Sequence, residues 1–495
     1  MNKVWKYRIL LVAAVLFVCC PLNAQDVISI PAEATIAPGL SPEGATPVDS
    51  PFVRKSFMIS KIFVSGNRKT KDYIIKRELP FQEGDSVVLN ELVAKFRLGK
   101  RQLVNTRLFN DVVISLKSFR GYLVDVQVDV KERWYIFPIP YLKPIDRNLQ
   151  TWAQKGYSLD RVNYGAKFNY YNATGRNDVL KLWLITGYSR QIQGSYNQPF
   201  MDGSLKSGFG VNFSYAAMKE VNPLTVKDQQ FFLKADSLPK AGRFLEEQLG
   251  GSIQWNYRPG LRTRHLVRLG FNMSKVDSAV LAVNPNYFSK TGKSRVVYPE
   301  LSYMVSHVDI DYAPYPLRGQ MWELFLSRRG LGKDVGMWTF SAKGTRAWEM
   351  KWKSSFSSQV FGTLRLPFNQ PFMHHRMFGY GDFYLRGLEK YVIDGVAGVM
   401  SRNTLRRELF NFHIPLPVRS SSHDRIPFRI YAKTYTDFAY SHNKQFNHNF
   451  LNNKLLTTAG AGIDVVTLYD VVMRFEYSFN QMGQKGFFFH FKNDF

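Results

Sequence analysis

Cysteine is almost absent from this sequence, since its 495 residues include only Cys19 and Cys20. Both lie in an N-terminal segment that begins with positive charge and continues as a short apolar run, a pattern typical of an export signal. We expect residues 1–24 to be this signal peptide, cleaved after Ala24. A chain cleaved there has no thiol, which excludes disulfides, thiolate metal ligands and a cysteine nucleophile. A lipidated Cys20 is the alternative, although Cys19 fits poorly at a position that takes a small residue.

Long apolar runs are also missing. Beyond the N-terminal segment no stretch approaches the ~18 consecutive apolar residues that a membrane-spanning helix needs. The composition is nevertheless 45% hydrophobic and 15% aromatic, with 39 Phe and 26 Tyr. This combination suits a transmembrane β-barrel, in which only every second residue meets lipid and aromatic girdles mark the two interfaces.

Acidic residues are few: the sequence has 39 Asp and Glu and 66 Lys and Arg, which gives a net charge of +27. Such a charge would suit a nucleic acid, but it is spread along the chain and no recognition motif accompanies it. We therefore expect no nucleic-acid partner. A basic barrel among the anionic headgroups of membrane lipids is the simpler explanation of the charge.

Composition divides the rest of the chain into three regions. Residues 25–56 carry five prolines among small and polar residues, which predicts a disordered linker. Residues 57–133 predict a small α/β domain in the order strand, helix, helix, strand, strand, and valines alternate with polar residues along its last strand, Tyr122–Val130. Residues 134–495 predict an all-β transmembrane barrel.

Sixteen amphipathic segments run from Trp134 to Phe495, and an even number of antiparallel strands closes a barrel without an edge in lipid. A charge that faces lipid at mid-bilayer costs about 2–4 kcal/mol, so charged rows, such as the one with Arg474 and Glu476, are expected to face the lumen. A soluble β-sandwich would alternate as well, but so many segments behind an export signal favour the barrel. The predicted strands are 134–142, 161–173, 178–189, 191–200, 205–219, 244–258, 263–276, 296–312, 320–330, 337–350, 352–367, 402–414, 428–441, 456–468, 470–480 and 486–495.

Three motifs of the small domain occur in order and resemble a POTRA domain: Ile62–Asn67, Leu108–Val112 and Val130–Arg133. POTRA domains are periplasmic modules that precede outer-membrane assembly barrels. The resemblance implies that this domain accepts client segments by adding a strand to the edge of its sheet, which is called β-augmentation. The alternative is a generic periplasmic α/β domain.

A long connection, residues 368–401, carries the sharpest motif of the barrel, since connections of this length are normally functional. The motif consists of Gly379, Gly381, Arg386 and Gly387. With these residues the connection resembles the lumen-inserted loop of the BamA/TamA outer-membrane assembly superfamily, whose members join POTRA domains to a surface-antigen-type β-barrel.

The resemblance also implies partners for Arg386. A buried guanidinium needs carboxylates, and the positions that match the family's are Glu408 and Asp437 on the strands that follow. Leu388 departs from the family, which has an aromatic residue at that point. The alternative is a solvated loop arginine.

The C-terminal strand resembles the recognition strand of outer-membrane proteins, which ends in an aromatic residue. In the family's mechanism this strand meets the first barrel strand at a weakly paired seam. Pro138, Pro140 and Pro144 would weaken the first strand's edge, because proline donates no ladder hydrogen bond. The residues of the recognition strand are Phe487, Phe489, Phe491 and Phe495.

The resemblance implies a short, single-POTRA factor that inserts or translocates unfolded outer-membrane or exported proteins without ATP. Outer-membrane lipids, periplasmic chaperones and accessory lipoproteins are its implied partners. We expect no cofactor, no metal and no enzymatic activity, because the histidines lack metal spacing and no catalytic motif occurs. The alternatives are a dedicated transporter of the two-partner type and a passive outer-membrane channel. A single POTRA domain favours an accessory or specialised assembly factor.

Overall fold

The computed structural model describes residues 56–144, 159, 162–238, 244–415, 425–444 and 449–492. The predicted signal peptide, the predicted linker up to residue 55, and Phe495 lie outside these residues. Every described residue belongs to one unit, Lys55–Phe495, which holds both the small α/β domain and the barrel.

The N-terminal domain is a four-stranded sheet in the order β2-β1-β4-β3, covered by two helices. Val124, Val126 and Val128 are fully buried and share one apolar core with Leu92 and Leu103 of the longer helix. The alternation predicted from the sequence therefore forms the core together with the longer helix. The elements are β1 (Ser56–Ser65), α1 (Asp72–Arg77), β2 (Ser86–Val88), α2 (Leu89–Asn105), β3 (Phe109–Arg120) and β4 (Leu123–Glu132).

The rest of the described chain builds one sixteen-stranded antiparallel sheet, which confirms the predicted number of strands. Within the same residues, no helix is both long enough and apolar enough to span a membrane. The strands are β5 (Ile136–Pro144), β6 (Val162–Tyr171), β7 (Val179–Gly187), β8 (Arg190–Gln198), β9 (Ser207–Met218), β12 (Glu246–Tyr257), β13 (Thr263–Val276), β14 (Arg295–Ile310), β15 (Gly319–Arg329), β16 (Met337–Met350), β17 (Ser354–Leu366), β20 (Ala397–Pro415), β21 (Arg425–His442), β22 (Leu456–Val466), β23 (Val472–Asn480) and β24 (Lys485–Lys492).

Two of the connections between barrel strands contain short hairpins. One pairs β10 (Glu220–Val226) with β11 (Gln229–Lys234), and the other pairs β18 (Arg376–Phe378) with β19 (Ile393–Asp394). Both hairpins lie in connections at the end of the barrel that is far from the N-terminal domain, and they position the site described below.

Strand β20 begins earlier than the sequence predicts. Residues 397–401 were expected to end the long connection, but they pair with residues 360–364 of β17. The stretch Ala-Gly-Val-Met-Ser has no clear alternation, so only its ladder with β17 identifies it as strand. By contrast, β5 begins later than expected, at Ile136 and not at Trp134.

Large apolar side chains cover the outside of the barrel wall, and charged side chains point into the lumen. On β23, Phe475 and Tyr477 are exposed, whereas Glu476 between them is 1% exposed. On β21, Lys433 and Asp437 are buried in the same way. This arrangement confirms the predicted lumenal charge rows and avoids a cost of about 2–4 kcal/mol for each charge in lipid.

The N-terminal domain packs against the barrel turns at its own end of the barrel. The carboxylate of Glu78, which is 1% exposed, accepts hydrogen bonds from Nη1 and Nη2 of Arg258 at 2.5 and 2.8 Å. Burial and the neighbouring Arg258 lower the pKa of Arg77 to about 10, so Arg77 is still charged at neutral pH. The turns contacted by the domain lie at residues 172–178, 199–206, 258–262, 311–318 and 467–471.

A second ion pair closes this junction where the domain leads into β5. Arg133 donates to Asp470, in the turn between β22 and β23, at 2.9 and 3.3 Å. Burial acts to raise the pKa of Asp470, but the hydrogen bonds and charge of Arg133, with the hydroxyl of Tyr312, lower it below its ordinary value. Asp470 is therefore ionised in the folded protein at neutral pH.

Candidate functional site

The connection between β17 and β20 folds back into the barrel lumen, as predicted. Leu385 and Leu388 are buried in one apolar cluster with Phe378, Met400 and Ala439 of the surrounding elements. Leu388 thus packs tightly, although its side chain is not the aromatic one expected at this point. We call residues 367–396 the lumen loop.

Arg386 is the central polar contact of the lumen loop. Its guanidinium forms a fork with the carboxylate of Asp437 on β21, with Nε 2.9 Å from Oδ2 and Nη2 bonded to Oδ1. Nη1 donates to the hydroxyl of Thr404 on β20 at 3.0 Å, and the guanidinium lies 4.0 Å from the ring centre of Tyr435. Arg386 is 8% exposed and Asp437 is fully buried. The structure therefore rules out a solvated loop arginine and pairs Arg386 with Asp437.

Glu408 is not a partner of Arg386, which corrects the expectation from the sequence. In the ladder between β20 and β21, Asp437 lies opposite Arg402, whereas Glu408 lies opposite Tyr431. Six residues separate Arg402 from Glu408, or about 20 Å along a strand. Among the described residues Glu408 instead accepts from the hydroxyl of Tyr431 at 3.3 Å and lies 3.8 Å from Lys353. The register of the two strands decides between the two carboxylates.

At two of the three motif glycines the backbone conformation explains why the residue is glycine. Gly379 and Gly387 have φ of +86° and +92°, in the region that favours glycine. A Cβ on Gly387 would also lie 3.0 Å from the Cβ of Ser478 on β23. Gly381 differs, because a Cβ there would meet nothing within 4 Å. The loop therefore needs glycine at Gly379 and Gly387.

The tip of the lumen loop lies against the last two strands. Asn480 of β23 donates to the carbonyl of Gly387 at 2.9 Å, and the ring of Tyr384 lies 5.1 Å from that of His490 on β24. Arg402 on β20 donates to the carbonyl of Tyr384 at 3.0 Å. Thr404, Arg402 and Asn480 were not predicted as site residues, because nothing in their own sequence neighbourhood marks them.

The hairpin formed by β10 and β11 covers the lumen loop from the far end. Asp228 at its tip is fully buried and accepts from the backbone N–H of Phe450 at 2.8 Å. The carbonyl of Asp228 accepts from the N–H of Val392 in the lumen loop at 2.8 Å. Hairpin, lumen loop and the connection after β21 therefore close this end of the lumen together.

The sheet ends at β5 and β24, and within the described residues no ladder joins these two strands. Pro138 and Pro140 lie two residues apart in β5, so their missing N–H groups belong to the same edge. Within sheets, a proline normally turns the edge that lacks its N–H away from the ladder. Because β5 forms its ladder with β6, the edge without these N–H groups faces the seam. The seam edge of β5 therefore lacks donors at Pro138 and Pro140. Phe487, Phe489 and Phe491 of β24 point outwards with exposed fractions of 66%, 53% and 55%.

Side chains of β5 and of the turn before β23 contact each other near the N-terminal domain. The ring of Phe137 in β5 packs edge-on against Tyr469, in the turn between β22 and β23, with ring centres 5.7 Å apart. Phe495, the last residue of the predicted recognition strand, lies outside the described residues. The candidate site thus consists of the seam, the last strands and the lumen loop behind them.

The POTRA family, described as a surface antigen variable number repeat, matches residues 57–133. The chain is similar to the outer membrane protein assembly factor BamA of Buchnera aphidicola subsp. Acyrthosiphon pisum (strain APS), with 26% identity over 152 residues, or 30% of this chain and 22% of that protein. It is also similar to the outer membrane protein assembly factor BamA of Neorickettsia risticii (strain Illinois), with 33% identity over 79 residues, or 16% of this chain and 10% of that protein. The matches span less than a quarter of either relative.

Among solved structures, CdiB from Escherichia coli matches 88% of this chain and 75% of its own, with a TM-score of 0.50 and 12% identity. At that identity the likeness concerns the fold alone.

Proposed function

We propose that this chain, a POTRA domain followed by an outer-membrane β-barrel of the BamA/TamA type, helps unfolded client proteins insert into or cross the outer membrane without ATP. The POTRA domain lies in the periplasm, and the barrel end that it contacts is the periplasmic end. The role is that of an accessory or specialised assembly factor rather than of an enzyme. Its partners are the client proteins, outer-membrane lipids, and the periplasmic chaperones or lipoproteins that deliver clients.

Among the described residues β5 and β24 form no ladder, and this unpaired seam is the observation that carries the proposal. A strand with a free edge presents N–H and C=O groups to which another strand can pair. Strand β24 offers such an edge, and the proline-containing edge of β5 competes for it weakly. A client strand that pairs with β24 would gain ladder hydrogen bonds that β5 does not supply.

The occupied lumen supports a lateral route for inserted clients. Arg386 holds the lumen loop on the barrel wall through Asp437, and the hairpin of β10 and β11 covers the loop. A client that passed along the barrel axis would first have to displace both elements. A client that opens the seam leaves them in place.

The POTRA sheet has edges of its own for client segments. Its order places β2 and β3 at the two edges, and β3 is a twelve-residue strand. We propose that β-augmentation there holds an extended client segment before it reaches the barrel. The contacts of the domain with five barrel turns keep that segment near the barrel mouth.

Cross-linking the seam tests the proposed function. Cysteine replacing Leu142 in β5 is combined with cysteine replacing Phe487, Phe489 or Phe491 in β24, all of which are exposed on the outer face, in cells depleted of the natural protein. We expect the pair that forms a disulfide to stop client assembly and a reductant to restore it. Full client assembly with the seam cross-linked would contradict lateral opening.

The matched control is a disulfide across an ordinary ladder of the same barrel. Ser302 of β14 and Ser327 of β15 are direct ladder partners and both are buried. The Ser302→Cys/Ser327→Cys variant should keep full activity when oxidised. The comparison separates seam opening from a general effect of an added disulfide.

A dedicated transporter of the two-partner type is the second candidate. Proteomics of the outer membrane after depletion separates the two roles. Loss of several barrel proteins supports a general assembly factor, whereas loss of a single exported protein supports a dedicated transporter. Deletion of residues 57–133 tests the alternative that the protein is a passive channel, because a passive channel would keep its function without the POTRA domain.

A further inference from the structure

Three side chains from separate elements meet beside the last strands of the barrel. Glu389 comes from the lumen loop, Glu476 from β23 and His490 from β24. One potential ligand atom of each lies within 4.8 Å of those of the other two. His490 Nε2 is 3.4 Å from Glu389 Oε1 and 3.4 Å from Glu476 Oε2.

These three atoms are shielded from solvent, and in the described part of the chain none of them has a hydrogen-bond partner. The Glu476 side chain is 1% exposed, that of Glu389 14% and that of His490 22%. A buried polar atom left without a partner costs roughly 1–3 kcal/mol, and more when it is charged. Three such atoms within 4.8 Å of one another indicate an occupant that bonds to all of them.

We propose that Glu389, Glu476 and His490 bind a divalent transition-metal ion, for which zinc is the best fit. Zinc takes imidazole nitrogen and carboxylate oxygen at about 2.0–2.2 Å, commonly in tetrahedral geometry. Two ligand atoms bound in that way stand roughly 3.3–3.4 Å apart, which matches both distances from His490. Magnesium and calcium suit the set less well because they prefer oxygen ligands throughout.

The surroundings prepare Glu476 for this role. Lys433 donates to Oε1 of Glu476 at 2.6 Å and also bonds to Asp464, so Oε2 of Glu476 is left to face the cluster. Such outer contacts orient the ligands of metal sites. The charged groups around the cluster include the carboxylates of Glu389, Glu476 and Asp464 and the cations Lys433 and Arg474. Arg474 lies two residues before Glu476, on the same face of β23.

A bound ion would tie the lumen loop to the strand that forms one side of the seam. Glu389 follows Arg386 by three residues, so the metal would add a second attachment next to the fork with Asp437. Because His490 lies on β24 itself, the metal would connect the position of the loop with that of the seam strand. This inference concerns binding and holds whether or not the proposed function is correct.

The test is a zinc titration of the full chain, purified without a histidine tag, treated with a chelator and held in detergent micelles. We expect one zinc ion per chain by calorimetry, and cobalt(II) in its place should give the visible absorption of a low-symmetry, four-coordinate site. His490→Gln and Glu389→Gln should each weaken binding by more than about tenfold. Heat-dependent mobility on gels confirms that each variant still forms a folded barrel.

The control variants keep the residue types but lie elsewhere in the barrel. Glu323→Gln removes a glutamate of β15, and His307→Gln removes a histidine of β14. Both should bind zinc as the unchanged chain does. Absence of stoichiometric binding by the unchanged chain, or equal binding by His490→Gln, would overturn the proposal.

Discussion

At the scale of single residues, Arg386 and Asp437 show how a buried charge is retained in the lumen. Both groups have lost their water, and their mutual fork replaces it together with Thr404 and the ring of Tyr435. Breaking such a pair by removing one partner is costly because the other charge stays buried without compensation. The pair therefore attaches the lumen loop strongly to the barrel wall.

Replacing Arg386 with Ala should release the lumen loop. The change leaves Asp437 buried without its cation, at a cost of about 3–5 kcal/mol. We expect the loop to become sensitive to added protease and client assembly to fall. Glu408→Gln is the matched control and should leave the loop protected. A protected loop together with full activity in Arg386→Ala would show that the fork does not hold the loop.

Replacing two glycines of the lumen loop in turn separates the effect of backbone strain from the effect of losing a glycine. Gly387→Ala places a Cβ at a φ of +92° and close to Ser478, so we expect the loop to be destabilised by at least ~1–2 kcal/mol. Gly381→Ala has open space and should change little. Protease sensitivity of the loop measures both, and equal behaviour of the two variants would argue against the strain explanation.

At the scale of elements, the two strands of the seam differ in the kind of edge they offer. Strand β24 carries outward phenylalanines and ordinary backbone donors, whereas β5 carries prolines. A ladder between them would lack the donors of Pro138 and Pro140 on the side of β5. We therefore expect the primary structure of β5 to keep the seam weak, while ladders join the other neighbouring strands of the described sheet.

Replacing Pro138 and Pro140 with threonine should strengthen the seam. The change returns two N–H donors to the edge of β5, and each net hydrogen bond contributes about 0.5–1.5 kcal/mol. We expect the barrel to unfold at a higher temperature on heat-mobility gels and client insertion to slow. Pro299→Thr on β14 is the control, because that strand is already paired on both sides. Unchanged insertion in the double variant would mean that the prolines do not set the strength of the seam.

At the scale of the whole molecule, ion pairs join the POTRA domain to the barrel. Glu78 binds Arg258 at one side of the barrel mouth, and Arg133 binds Asp470 near the seam. The position of the POTRA domain is thereby coupled to the turn that precedes the last two strands.

The Arg133–Asp470 contact should weaken in acid. The pKa of Asp470 is lowered in the folded protein, so its stabilisation is complete well above the unfolded value of about 3.9 and is lost as the pH falls through the folded pKa. Hydrogen exchange of residues 130–136, corrected for the intrinsic effect of pH, should therefore be constant from about pH 7 to 5 and rise below about 4.

Asp470→Asn should show the faster exchange already at neutral pH. Glu349→Gln is the control, because its ion pair with Arg318 is exposed and long, at 3.7 Å. Slow exchange in Asp470→Asn at neutral pH would show that the junction does not depend on this pair.

Much of the architecture follows from the sequence alone. Alternation of apolar and polar residues has a period of two in a strand, so it assigns Phe475 and Tyr477 to lipid and Glu476 to the lumen without any knowledge of neighbours. The same local rule predicts the strand count and the valines in the core of the POTRA domain. The position of Asp437 on a lumenal row with Lys433 also follows from alternation.

Tertiary structure decides which lumenal residues meet. Glu408 and Asp437 were both expected to bind Arg386, and only the register between β20 and β21 shows that about 20 Å separate them along the wall. Glu389, Glu476 and His490 carry no metal spacing in the sequence, because their approach depends on the lumen loop folding back onto β23 and β24. Sequence determines which side of the wall a residue faces, since that is a property of one strand. Which residues share a site is a property of closure and register, which involve the whole barrel.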